Sequence, residues 1–193
     1  MLDFWFGPAV EDASAAEARN ALWFRKSFET DAKIAERFLD TLAALAGGLC
    51  YDWAVRSARG RLAAIVALDQ FTRNIFRDMP AAFAHDTIAR DLAHHGLMIA
   101  VDHDLTEIER KFFYLPFEHS EDAGDQEIAV KAMVSARNAA RPGYEAILDD
   151  AVEYAERHKQ VIDQFGRFPH RNQILGRTTT PEEASWLMDR GGF

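Results

Sequence analysis

The segment 165–177 concentrates side chains that bind anions. It holds three arginines, a histidine and an asparagine, and two glycines and a proline interrupt it. Arginine and asparagine bind carboxylates or phosphates through strong hydrogen bonds, and a short helix starting near His170 would add free backbone N–H groups. We therefore predict Arg167, His170, Arg171 and Asn172 as ligand-binding residues. The alternative is that these side chains donate hydrogen bonds to free backbone carbonyls at two helix ends.

A second polar set lies in the segment 68–77. At about 100° per residue, its polar positions fall within an arc of roughly 140° on one helix face. These positions are Asp69, Gln70, Arg73, Asn74 and Arg77. A solvated face usually carries glutamate and lysine, whereas arginine holds planar or anionic partners in fixed geometry. We predict Arg73, Asn74 and Arg77 as ligand-binding residues, and a solvated face with an Asp69–Arg73 salt bridge is the alternative.

His119 is the third candidate, and it follows a break at Pro116 and precedes a predicted helix start at Ser120. Side chains at such a junction can point into a cleft. The imidazole fits a general base, a metal ligand or a hydrogen-bonded structural residue. We predict that His119 binds the ligand, and we take His119 and His170 as the catalytic candidates.

Metal and covalent chemistry have little support in the sequence. The chain has seven histidines but no His-Glu-x-x-His motif, and its single cysteine, Cys50, excludes a cysteine-based zinc site. Neither a Gly-x-Ser-x-Gly elbow nor a glycine-rich phosphate loop is present. We predict no metal and no cofactor, with a site from Glu118, His119, His158 and His170 as the alternative, and a buried thiol at Cys50.

Composition excludes several classes of protein. The net charge of -9 argues against a protein that coats nucleic acid. Fourteen phenylalanines and four tryptophans are too many for a disordered chain. No apolar run reaches the roughly 18 residues that a membrane span needs, and Asp3 argues against a signal peptide. These features predict a cytoplasmic protein without membrane or nucleic-acid partners.

Helical periodicity recurs along the chain, and strand alternation is almost absent. Capping residues and glycines bound about seven helices. In the first helix Thr30 is the predicted N-cap, Gly47 the predicted end, and the apolar stripe is Ile34, Phe38, Leu42 and Leu45. A capping box of Thr106 and Glu109 is predicted to start the fourth helix. The predicted helices cover 31–45, 57–76, 81–99, a segment from Thr106 to Pro116, 120–138, a segment from Tyr144 to Gly166, and a last helix from Pro181. Their connections are short, which favours antiparallel neighbours. The sequence predicts one all-α domain over residues 1–193, with its helices stacked as hairpins.

Several long segments match a known family pattern across essentially the whole chain. They are Leu2–Pro8, Gly60–Ala63, Leu68–Phe71, Arg73–Arg77, Glu109–Arg110, Phe112–Phe117, His119–Asp122 and Phe165–Asn172. On these residues the sequence resembles a family of uncharacterised bacterial proteins, the domain-of-unknown-function family numbered 924. It departs from that pattern at Thr72, in place of proline, and at Glu118, in place of a small or apolar residue. The resemblance implies a tetratricopeptide-like helical superhelix, and it implies no activity.

Three functions remain open from the sequence. We predict a polar pocket for a small anionic ligand, because the arginines of the three segments, with Arg177 among them, outnumber the nearby acids; whether a reaction follows is undetermined. The alternative is an interaction scaffold that binds a peptide or a partner helix in a helical groove. A third hypothesis is a structural network in which arginines pair with carboxylates such as Asp69 or Glu109.

Overall fold

The computed structural model describes residues 1–49 and 51–190, and these residues form helices and turns without a strand. The all-α prediction is confirmed, whereas the predicted burial of the Cys50 thiol lies outside the described residues. The helices are α1 Leu2–Trp5, α2 Ala13–Phe24, α3 Phe28–Ala46, α4 Tyr51–Val55, α5 Ala58–Ile65, α6 Thr72–Ile75, α7 Asp86–Met98, α8 Glu107–Glu118, α9 Ala123–Asn138, α10 Glu145–Phe165 and α11 Pro181–Arg190.

Helix α3 begins three residues before the predicted start. Ser27 is its N-cap, because the Ser27 Oγ accepts a hydrogen bond from the backbone N–H of Thr30 at 3.2 Å. Thr30, the cap expected from the sequence, therefore lies inside the helix. The predicted apolar stripe of α3 is buried, and Gly47 ends the helix as expected.

Helices α5 and α6 form one continuous rod with a π-helical segment, Val66–Phe71, between them. The backbone N–H of Thr72 bonds to the carbonyl of Ala67, five residues earlier. A π turn inserts an extra residue, and such turns recur at functional sites. The sequence predicted the rod itself but not this segment, which contains Asp69 and Gln70.

Helices α8, α9 and α10 pack side by side, and short connections join them in chain order. Short connections make neighbouring helices antiparallel.

The predicted capping box of Thr106 and Glu109 starts α8. Pro116 lies inside α8 and does not end it. Ser120 does not cap α9, because the Asp122 carboxylate accepts the backbone N–H groups at the start of that helix. Gly166 ends α10 with a φ of 67°.

The structure differs from the sequence prediction in two other places. The predicted helix 81–99 is a 3₁₀ turn, Pro80–Phe83, followed by α7. Helix α2 was not predicted at all. It is rich in alanine, and its buried residues are Ala16 and Trp23, so its apolar periodicity is weak.

The main core contains side chains from α1 to α10, and among them the aromatic rings of Trp5, Trp23, Phe71 and Phe112 pack edge to face. A smaller cluster of Val161, Ile162 and Phe168 joins α10 to the loop before α11. Over residues 1–49 and 51–190, no helix combines the length and the apolar character needed to cross a bilayer. The tetratricopeptide-like superhelix stays a prediction.

Candidate functional site

A cavity of about 180 Å³ opens between the end of α2, the rod of α5 and α6, and the end of α8. We call it the polar cavity. Its lining residues are Trp23, Phe24, Arg25, Gln70, Arg73, Asn74, Arg77 and His119. Segments that are distant in the sequence therefore place four of the predicted ligand-binding residues around the polar cavity. These four are Arg73, Asn74, Arg77 and His119.

A buried carboxylate orients the His119 imidazole in this cavity. The Nδ1 atom of His119 lies 2.8 and 3.0 Å from the two carboxylate oxygens of Asp69, which is 1% exposed. Burial alone would raise the pKa of Asp69, but Arg73 and His119 outweigh it and hold this pKa well below its usual range. Because Asp69 is ionised, Nδ1 of His119 donates the hydrogen bond. The lone pair of Nε2 is then available to accept a proton.

His119 itself is suited to act as a base. Burial lowers the pKa of His119, and the neighbouring Asp69 carboxylate only partly opposes this effect. The imidazole is therefore neutral near pH 7. Within the described part of the chain, Nε2 makes no hydrogen bond. A neutral imidazole held by a carboxylate through Nδ1 is the arrangement that general bases use in many enzymes.

Arg73 is held by two carboxylates. Its guanidinium donates to both oxygens of Asp86 at 2.9 Å and to the side chain of Asp69 at 3.0 Å. It also donates to the Asp69 carbonyl at 2.6 Å. The side chain stays 20% exposed, so one edge of the arginine faces the polar cavity while its charge is largely balanced.

Asn74 and Arg77 share a carboxylate on α3. Arg77 forms two hydrogen bonds of 2.7 Å to Asp31, and Asn74 donates to the same side chain at 2.8 Å. Arg25, at the end of α2, is different. Its side chain is exposed and forms no ion pair or hydrogen bond within residues 1–49 and 51–190. Arg25 is therefore the arginine of the polar cavity whose charge has no local partner.

Arg171 is buried, 7% exposed, between two aromatic rings. Its guanidinium carbon lies 4.8 Å from the ring centre of Phe83 and 4.5 Å from that of Phe168. Arg73 lies over the same Phe83 ring at 5.6 Å. In the described part of the chain Arg171 has no carboxylate within ion-pair distance, and its Nε makes no hydrogen bond. Burial lowers the pKa of Arg171 to about 10, so it remains a cation at neutral pH.

Two further histidines adjoin this region. The His158 ring lies 6.2 Å from the His119 ring, and the Phe168 ring lies 5.5 Å from His158 and 5.6 Å from His170. Burial lowers the pKa of His158 to about 3 and that of His170 to about 4. Both are neutral at physiological pH. His170 is close enough to His119 for the two to interact electrostatically, but it does not line the polar cavity.

Glu118, the neighbour of His119, is buried and lies 3.3 Å from Nδ1 of His158. Burial raises the pKa of Glu118 to about 8, although Lys111 opposes this shift. Glu118 is therefore protonated near neutral pH. Among residues 1–49 and 51–190, no three histidine, cysteine, aspartate or glutamate side chains are grouped to hold a metal ion.

Four predicted ligand-binding residues do not line the polar cavity, namely Arg167, His170, Arg171 and Asn172. Arg167 forms hydrogen bonds of 2.6 and 2.9 Å to Glu183 on α11, and Asn172 donates to the same carboxylate at 3.1 Å. Arg177 pairs with Glu121 and donates to a backbone carbonyl. These side chains connect α11 and its preceding loop to the rest of the protein. The structure does not bring Arg167 or Asn172 to the polar cavity.

Sequence reasoning missed part of the cavity wall. Trp23, Phe24 and Arg25 lie at the end of α2, a helix without a clear apolar stripe. The cluster Trp23-Phe24-Arg25 just before the N-cap Ser27 was the available signal. Asp86, the main partner of Arg73, was also missed, because a carboxylate in the first turn of a helix is common and indicates nothing about distant contacts.

Comparisons with known proteins give a family without an assigned function. A family model described as bacterial protein of unknown function, DUF924, matches residues 1–191. The chain is also similar to a solved protein of unknown function from Agrobacterium tumefaciens. The two are 34% identical over 94% of this chain and 97% of that chain, with a TM-score of 0.77. No curated protein sequence matches the chain.

Proposed function

Because the chain belongs to the bacterial family DUF924, whose function is unknown, we propose from the site itself that the protein binds a small anion in the polar cavity. One observation carries this proposal. Three arginines, Arg25, Arg73 and Arg77, face one cavity beside His119, and Arg25 has no counter-charge among the residues that the structure describes. A small anion would supply that charge and would accept hydrogen bonds from the exposed edges of the other two arginines.

The size of the polar cavity limits the ligand. Its volume of about 180 Å³ is below the roughly 300–1,000 Å³ of most drug-sized sites. One water molecule occupies about 30 Å³ in the liquid, so the cavity suits an anion of a few non-hydrogen atoms. Carboxylates and phosphate esters of that size are the ligand class that we propose. The half-exposed ring of Phe24 provides an apolar wall for the rest of such a ligand.

In this proposal His119 does more than bind. Its Nε2 accepts a proton from the bound ligand or from an attacking water molecule, while the Asp69 carboxylate stabilises the imidazolium that forms. Arg171 and Arg73 favour the neutral imidazole before the transfer, since both cations lower the pKa of His119. His119 is thus our candidate general base, and His170 has no role in the polar cavity.

Replacing Arg25 by glutamine tests the binding proposal. We expect calorimetry to show saturable binding of phosphate or a small carboxylate such as malonate to the wild type. The Arg25→Gln protein is expected to bind about tenfold or more weakly, because one charge-assisted hydrogen bond is lost. Arg25 is exposed, so the fold should tolerate this change.

The matched control is Arg56→Gln, another exposed arginine that does not line the polar cavity. It is expected to bind each anion with wild-type affinity. Equal weakening in both variants would indicate only a general loss of positive charge, and it would count against the polar cavity as the binding site. A wild type that binds no member of a panel of small carboxylates and phosphates would also contradict the proposal.

A further inference from the structure

A second cavity, of about 390 Å³, lies between the end of α3, α4, the rod of α5 and α6, and α7. We call it the apolar cavity. Its lining residues are Leu45, Tyr51, Ala54, Arg61, Leu68, Ile88, Asp91, Leu92 and His95. It shares no lining residue with the polar cavity. Its volume lies within the usual range for sites that bind small molecules.

Arg61 is a buried cation in the wall of this cavity. The residue is 1% exposed, and its Nη1 donates to the Leu92 carbonyl at 2.9 Å. Its Nε and Nη2 are buried and make no hydrogen bond to any residue in 1–49 or 51–190. In the described part of the chain, no carboxylate lies within ion-pair distance of Arg61, in contrast to Arg73 and Arg77. A buried, unpaired charge destabilises the folded protein, so an anion would find a strong partner here.

Close packing against Gly96 fixes the aliphatic part of the Arg61 side chain and leaves the guanidinium beyond it free to turn. Gly96 of α7 packs directly against this aliphatic part, and a Cβ atom at Gly96 would lie 2.8 Å from Cδ of Arg61 and 2.5 Å from the Phe113 ring. Any larger residue at position 96 would displace the arginine. Burial lowers the pKa of Arg61, but an arginine keeps its proton in proteins.

We propose that the apolar cavity binds a monocarboxylate with a short hydrocarbon chain. The carboxylate pairs with the Arg61 guanidinium after a small rotation that turns Nε and Nη2 from beneath the wall toward the ligand. The hydrocarbon chain packs against Leu45, Leu68 and Ile88, where it leaves water. Asp91 lines the same cavity and disfavours a second negative charge on the ligand.

Octanoate and 1-octanol are the matched probes for this site, because they share a chain and differ in the charged head group. Calorimetry with the full chain is expected to show saturable octanoate binding, and binding of 1-octanol at least about tenfold weaker. The Arg61→Met protein is expected to bind octanoate about tenfold or more weakly, with its affinity for 1-octanol unchanged. This variant should melt at the same or a higher temperature, since it removes an unpaired buried charge.

Two further variants separate this site from the polar cavity and from general effects. Arg25→Met should leave octanoate binding unchanged, because Arg25 lines the polar cavity and not the apolar cavity. Ile88→Trp should fill the apolar cavity and abolish binding of both probes with Arg61 intact. The proposal is overturned if octanoate fails to bind the wild type below its micelle concentration. Equal octanoate affinity for the wild type and Arg61→Met, or unchanged binding to Ile88→Trp, would overturn it as well.

Discussion

Replacing Asp69 by asparagine is expected to lower the free energy of unfolding by about 3 kcal/mol at pH 7. Asp69 and Asp86 both pair with Arg73, and Asp69 also receives the hydrogen bond of His119. The charge of Asp69 also acts at longer range on the buried Arg171. Asparagine keeps the shape but removes the charge, so Arg73 retains only Asp86 as a counter-ion and the nearby buried cation Arg171 loses a stabilising negative charge. Urea denaturation of the variant and of the wild type measures the difference.

Asp78→Asn is the matched control for this prediction. Asp78 forms a surface ion pair with Lys26, and the side chains are 71% and 54% exposed. Its φ of 62° is one that asparagine tolerates. Exposed pairs contribute about 0–1 kcal/mol, so this variant should differ little from the wild type. Similar losses in the two variants, or a loss below about 1 kcal/mol for Asp69→Asn, would contradict the role of the buried network.

Replacing Glu118 by glutamine is expected to stabilise the protein in alkaline solution. Burial raises the pKa of Glu118 from 4.5 to about 8 in the folded state. The protonated carboxyl therefore makes its full contribution to the free energy of unfolding below about pH 4.5. This contribution is lost as the pH rises from there through 8. Glutamine resembles the protonated form and cannot ionise. The free energy of unfolding of the variant, relative to that of the wild type, should therefore increase by about 4 kcal/mol between pH 5 and pH 9.

Urea denaturation at several pH values tests this difference, and Glu36→Gln serves as its control. Glu36 is exposed on α3, so its replacement should change the free energy of unfolding by a similar small amount at pH 5 and pH 9. A Glu118→Gln protein whose advantage over the wild type is the same at both pH values would show that Glu118 ionises normally. The burial account of this residue would then be wrong.

Local signals in the sequence predicted much of the fold. The capping box at Thr106 and the glycine at position 166 set helix ends correctly, because capping depends on residues a few positions apart. Helix α2 was missed, since alanine favours a helix without marking a buried face. The π-helical segment was also missed, because helical periodicity does not reveal where a helix takes up one extra residue.

The candidate site was only partly predictable. The helical spacing of Arg73, Asn74 and Arg77 placed them correctly on one face. Their carboxylate partners, Asp86 and Asp31, lie in other helices, and helix periodicity contains no information about such distant pairs. Arg167 and Asn172 have the same residue types as the cavity residues. They bind Glu183, and only the fold distinguishes their structural contacts from a ligand site.

The most direct test of the polar cavity is a phosphate titration followed by NMR of the arginine Nε–H and histidine ring signals. The wild-type protein suffices, so no variant needs to fold. We predict saturable shifts at Arg25, Arg73 and His119, with a single dissociation constant, and no saturable shift at Arg167, which is paired with Glu183. Small linear shifts at every arginine, or saturation at Arg167 without a response from His119, would contradict the account.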